Sequence, residues 1–272
     1  MAIDVSWLGM LGYRFFQNAL LGGTLAAAAC AWVGLFLILR RESMLGDGVA
    51  HTAFGGIALG LLLGISPLLT ALVVSIVAVI GIAYMRKMGI ANSDSAIAVI
   101  MAMGFALGLI IISLAGGFNV ELFSYLFGSI LTIGTGDLIL VTVLALATLV
   151  FLGTFYKELM SMTFDEDAAR MTGIPVSAMS VAFNILVATT IVVSIKVIGI
   201  ILVTALMIVP GLTALQLKLS FRRTVAAAVA FGVAASVLGL AISSVYDVAT
   251  SGVIVFTAVG MLAFVAAYRR LA

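Results

Sequence analysis

Asp47 and His51 stand four residues apart in RRESMLGDGVAHTAFGGIALGLLLG, and His51 is the only histidine of the 272-residue chain. Four residues is about one helical turn, so a helix here puts both side chains on one face. A carboxylate and a neutral imidazole are an ordinary donor set for zinc, manganese or iron. Two protein donors are too few for a closed structural zinc site and leave positions for water or for ligands from a partner helix. That incompleteness suits an ion that must both enter and leave. The same pair also fits a proton relay, or a structural end in which Asp47 caps the helix while His51 packs at its mouth. Spacing alone keeps all three readings open. HExxH is absent and no nucleophile stands beside a base, so nothing supports hydrolytic chemistry within this chain.

The elements that must carry this pair are set by composition. Hydrophobic residues make up 64% of the chain and charged residues 9%, with a mean hydropathy of +1.36. A soluble domain carries about 25% charged residues, so this chain cannot cover a water-exposed surface. A transmembrane β-barrel would alternate apolar and polar positions over segments of about 10 residues. Here the runs last about 20 residues, the length a helix needs to cross a bilayer. The fold class is therefore all-α: a polytopic helical membrane protein forming a single transmembrane domain over 1–272. In that setting an ionisable residue within a span is a functional-site candidate by default.

Nine spans are expected, near Phe15–Leu39, Leu45–Ile65, Leu68–Met85, Ala96–Leu114, Leu138–Tyr156, Val176–Ile195, Ile198–Leu217, Thr224–Ser243 and Gly252–Tyr268. An eight-span arrangement with both termini in the cytoplasm is the alternative. The stretch 118–133 (FNVELFSYLFGSILTI) reads as a short interfacial or re-entrant helix with Glu121 near its start, a tilted tenth span being the other possibility. The first apolar run has no obvious cleavage site and reads as a retained span. Cys30, the one cysteine, has no intrachain disulfide partner and reads as a small packing residue.

With the C-terminus in the cytoplasm, the inside loops hold Arg40, Arg41, Arg86, Lys87, Lys157, Arg170, Lys218, Arg222, Arg223, Arg269 and Arg270, leaving Arg14 and Lys196 outside. This follows the excess of basic residues in cytoplasmic loops. The formal net charge of +2 then needs no nucleic-acid partner, and no interleaved aromatic and basic surface suggests one.

One internal loop is conspicuously polar: KELMSMTFDEDAARMTGIP, from Lys157 to Pro175. Phe164, Ala168 and Met171 can share one face of a short helix from about Asp165 to Met171. Gly173 can terminate it and Pro175 can start the next element. The loop reads as a solvated connection or as a docking helix that a cytoplasmic partner grips. Among the spans, Gly56, Gly60 and Gly64 recur every four residues and suggest a close-packing stripe. Pro210–Gly211 suggests a kink or a broken helix in a transport pathway. The 13 methionines show no thioether metal spacing and suit gap filling.

At this point the chain resembles the permease subunits of bacterial and archaeal ABC importers for zinc, manganese or iron. The likeness is carried by LRRESMLGDGVAHTAFGGIALG at Leu39–Gly60, ELFSYLFGSIL at Glu121–Leu131 and FDEDAARMTGIP at Phe164–Pro175. VIGIILVTALMIVPGLTA at Val197–Ala214 and the segment Tyr246–Phe256 extend it, in the same order and spacing.

The resemblance implies a permease with no catalytic domain of its own and no tightly bound cofactor, its cargo being a divalent metal ion. It implies a second copy of the permease, two cytoplasmic ATPase subunits that bind ATP, and an extracytoplasmic metal-binding protein. Asp47 and His51 match the pair expected to contact the cation in the pathway. Phe164, Asp165, Glu166, Asp167, Ala168, Arg170, Met171 and Gly173 match the segment that couples to the ATPase. Glu121, Pro210 and Gly211 are gate or kink candidates. A proton- or ion-coupled secondary carrier and a structural membrane scaffold are the alternative readings.

Overall fold

The computed structural model describes residues 12–117, 120–128, 134–246 and 248–271. Among them are twelve helices: α1 (Arg14–Leu39), α2 (Met44–Leu63), α3 (Pro67–Lys87), α4 (Ser93–Leu114), α5 (Val120–Phe127), α6 (Thr135–Thr154), α7 (Tyr156–Phe164), α8 (Glu166–Met171), α9 (Val176–Ile198), α10 (Ile200–Gln216), α11 (Phe221–Tyr246) and α12 (Thr250–Leu271). Eight of these are long and apolar enough to cross a membrane, and α10 is a shorter apolar helix. All nine expected spans are therefore helices. The helix expected within 118–133 is α5, whose eight residues extend about 12 Å and cannot span a bilayer.

Helix ends follow local chemistry. Pro67 opens α3, where a missing N–H costs nothing and φ is already helical. The left-handed C-cap Gly64 (φ 66°) closes α2, with its own N–H bonding Leu61 O and that of Ile65 bonding Gly60 O. The same paired bonds close α1 around Arg41 (φ 58°), whose N–H bonds Ile38 O while that of Glu42 bonds Leu37 O. A side chain at that conformation costs roughly 1 kcal/mol relative to glycine, so the turn between α1 and α2 is held by more than local preference.

The chain divides into two compact units. One comprises 36–123 and 146–193 and is built on α2, α3 and α4, which pack pairwise on one another. The other comprises 1–35, 124–145 and 194–272 and is built on α10, α11 and α12.

Glycine decides the packing in both. A Cβ on Gly56 would lie 2.6 Å from Ala71 Cα, and one on Gly60 would lie 2.7 Å from Pro67 Cα. These two glycines therefore set α2 against α3, as the four-residue recurrence suggests, whereas Gly64 ends the helix. Gly104 of α4 faces α2, where a Cβ would lie 2.6 Å from Thr52 Cα. Gly104→Ala is accordingly expected to destabilise the protein by about 1–3 kcal/mol through overpacking. Gly81→Ala, whose Cβ would meet Ile100 Cδ1 at 3.7 Å, is expected to be neutral. Thermal unfolding of the two variants in detergent checks the contrast.

In the second unit, Pro210 lies buried inside an unbroken α10, so the broken helix suggested by Pro210–Gly211 is absent. Its ring approaches Gly232 of α11, with Cγ 3.6 Å from a would-be Cβ. Cys30 is buried with its Sγ 3.5 Å from Ser194 Oγ, the packing role expected of it. Gly128 (φ 74°) and Gly199 (φ 83°) bring the end of α5 onto the α9–α10 junction, where a Cβ on Gly128 would lie 2.7 Å from the Ile198 carbonyl carbon.

Candidate functional site

From Leu45 to Ala58 every residue of α2 is buried except Asp47 and His51. Both are half-buried. The glycines place the other faces against α3 and α4, and the two ionisable side chains are left half-buried, His51 at the edge of α4. Neither side chain has a hydrogen-bond or ion-pair partner among the described residues. The N-cap residue of α2 is Ser43, with no side-chain cap bond, and Asp47 makes none either. The capping reading of Asp47 therefore lacks the bond it needs.

One neighbour orients the imidazole. The Phe105 ring of α4 meets His51 edge to face, with centroids 5.2 Å apart at 80°. Phe54 also meets Phe105, with centroids 5.6 Å apart and the rings tilted by 32°. Phe105 escapes sequence reasoning because FALGLIII shows no polar residue to single it out. No group of three or more His, Cys, Asp or Glu side chains that could hold a metal occurs among the described residues. A cation at Asp47 and His51 would need donors from water or from another chain.

Just before α2 lies a second polar cluster. Glu42 is buried, 5% exposed, and accepts from Arg86 Nη1 at 2.6 Å while Arg40 Nε lies 3.5 Å from its other oxygen. Arg40 also donates to Ser180 Oγ at 2.8 Å and lies 5.3 Å from the Phe183 ring centroid. The basic residues Arg40 and Arg86, grouped on one membrane side by charge alone, are thus in one cluster through Glu42. The lone acid in RRE was the available signal.

The polar loop folds as α7 and α8, which pack on each other. Asp165 (φ −153°) caps α8, its Oδ1 accepting from the Ala168 N–H at 2.9 Å. Glu166 and Asp167 lie in the first turn and Arg170 in the last, favourable to the helix dipole. Gly173 (φ 85°) terminates the turn. Leu159, Met162 and Ala169 are buried and anchor the pair of helices, while Phe164 and Met171 stand 70% and 89% exposed and Ala168 is exposed beside them. Phe164 thus ends α7 while Ala168 and Met171 lie on α8, so the three exposed apolar residues are spread over two helices and not carried by the one short helix expected. Glu121 belongs to α5, but its side chain lies outside the described residues. Pro210 and Gly211 are buried helix-packing positions.

Comparison with known proteins places these features in context. Residues 12–269 match the ABC 3 transport family. The manganese transport system membrane protein MntC of Halalkalibacterium halodurans is 32% identical over 249 residues, covering 92% of this chain and 85% of that protein. The probable iron transport system membrane protein of Haemophilus influenzae is 30% identical over 261 residues, covering 96% of each. Among solved structures, PsaBC from Streptococcus pneumoniae in complex with Fab aligns with a TM-score of 0.85 at 33% identity, over 94% of this chain and 92% of that one.

Proposed function

Because the chain belongs to the ABC 3 transport family, we propose that it is the membrane-spanning subunit of an ATP-driven importer of divalent transition-metal ions, with Asp47 and His51 as protein ligands along the ion's path. The observation that carries this reading is the exposure pattern of α2: the two donors form the only break in an otherwise buried stretch. A carboxylate and an imidazole suit manganese, iron or zinc alike. A second copy of the chain, related by a twofold axis, would bring its own Asp47 and His51 and raise the protein donors to four. Four donors shared between two subunits open when the subunits part, which lets the ion leave.

Energy enters at α8 on this reading. The Asp165 cap fixes the start of the six-residue helix, and residues 172–175, with Gly173 in the left-handed region, join it to α9. An ATPase subunit gripping Phe164, Ala168 and Met171 would therefore act on α9 through the short connection at residues 172–175. ATP binds and is hydrolysed on that partner, and an extracytoplasmic metal-binding protein supplies the cargo.

The test is uptake by the complex of this chain with its ATPase in proteoliposomes. Manganese serves as first cargo, with zinc and iron(II) as competitors. ATP-dependent accumulation is expected. Phe164→Ala/Met171→Asp should lower the ATPase that co-purifies, and with it the uptake rate, by about 10-fold or more, the loss of an interface anchor. Uptake driven by an imposed ion gradient without ATP would instead establish a secondary carrier.

A further inference from the structure

We propose that the cavity between the end of α3, α8 and the start of α9 binds the headgroup of an anionic phospholipid, with an acyl chain lying in the groove that continues along α9. The cavity has a volume of about 270 Å³ and is walled by Arg86, Lys87, Glu166, Arg170, Ser177, Ser180 and Asn184. Arg86 is already paired with Glu42 at 2.6 Å, so Lys87 and Arg170 face the one acid Glu166 there. That acid is half-exposed, its carboxylate 3.8 Å from Arg170, so the excess positive charge is not cancelled within the site.

Two features point to a ligand. Asn184 is 3% exposed, yet its buried Oδ1 has no hydrogen-bond partner. An unpaired buried amide oxygen costs roughly 1–3 kcal/mol, a cost that a hydroxyl donor in the cavity would remove. The cavity also meets the first turn of α9, a 23-residue helix whose leading N–H groups and dipole favour an anion. A phosphate next to a hydroxyl matches both demands, and phosphatidylglycerol carries that combination.

The groove selects a lipid over a soluble phosphate. It opens from the same Arg170, Ser177 and Val181 and continues along Ala178, Ala182 and Ile185. From Ser177 to Ile185 is about 12 Å of helix, lined by apolar side chains and suited to an acyl chain. Position agrees as well. Val73, Val77, Ile80 and Tyr84 form an exposed stripe along α3 that ends at Lys87, as a lipid-facing helix ends at the headgroup layer. The proposal rests on the membrane-spanning reading and not on the identity of the transported ion.

The experiment is native mass spectrometry of the detergent-purified complex with its ATPase, offered phosphatidylglycerol, phosphatidylcholine or inorganic phosphate. Wild type should retain phosphatidylglycerol about 10-fold better than phosphatidylcholine. Lys87→Gln/Arg170→Gln should lose that preference, on the order expected for two lost cation contacts. Asn184→Leu should weaken retention with the fold intact by thermal unfolding. Lys218→Gln/Arg223→Gln, basic residues at other helix ends, should retain phosphatidylglycerol as wild type does. Four results would overturn the proposal: equal retention of the two lipids, competition by millimolar phosphate, an unchanged preference in the Lys87/Arg170 variant, or exclusion of lipid by the bound ATPase. Because lipid retention is read without transport, a failure here is separable from a failure of the import mechanism.

Discussion

His51→Ala is expected to slow ATP-dependent metal uptake by about 100-fold or more while leaving assembly with the ATPase intact. Losing even an outer-shell partner of a metal ligand commonly costs about 10–100-fold, and His51 is the only imidazole the chain contains. The ring is half-buried and touches Phe105 edge to face, so its removal opens a small gap at the edge of the helix and not a core cavity. Stability should therefore hold. Asp47→Asn keeps the shape of the side chain and removes its charge; uptake should fall comparably, since a neutral amide is a weak ligand for these ions. Initial rates in proteoliposomes, measured with co-purified ATPase as the assembly control, read both variants. Wild-type rates in both would remove the pair from the ion's path.

Glu42→Ala is expected to be the most destabilising single change at the α1–α2 turn. Removing one partner of a buried ion pair costs about 3–5 kcal/mol, because the opposite charge stays buried without compensation. Here two guanidinium groups depend on the one carboxylate, and the Arg40 side chain is only 8% exposed. Arg86, at 35% side-chain exposure, can turn to solvent, which places the effect toward the lower end of that range. The turn already carries Arg41 at positive φ, so the cluster also holds a strained backbone in place. Five residues later comes Asp47, and loss of the cluster should loosen the entry of α2 as well. Thermal unfolding in detergent should show a clear drop for Glu42→Ala and a smaller one for Glu42→Gln, which keeps one acceptor. Unchanged unfolding of Glu42→Ala would show that Arg40 and Arg86 find other partners.

Much of the site was legible from short-range chemistry. The Asp47–His51 spacing specifies one face of a helix, and α2 provides that helix. The sequence from Phe164 to Pro175 specifies a capped turn, and the Asp165 cap and left-handed Gly173 are both present. Phe105 and the distant partner of Glu42 were not legible. Phe105 sits in an apolar run with nothing to distinguish its position, and Glu42 bonds Arg86 across 44 residues of sequence. Of the kink and the break that Pro210 suggests, the break does not occur: α10 runs unbroken through Pro210, whose ring approaches Gly232.

The division has a physical origin. Length, hydropathy, caps and glycine turns act within one or two helical turns, so the sequence by itself determined the helices, the membrane setting, the shared face of Asp47 and His51 and the bounds of α8. These spans are apolar all round, however, and lipid is as apolar as the interior of the fold, so no amphipathic pattern says which side of a helix is buried. Only the tertiary structure decided that, through glycines such as Gly56 and Gly104 that admit another backbone. By closing the rest of α2 it left Asp47 and His51 as its half-buried positions, and by the same packing it joined Glu42 to Arg40 and Arg86.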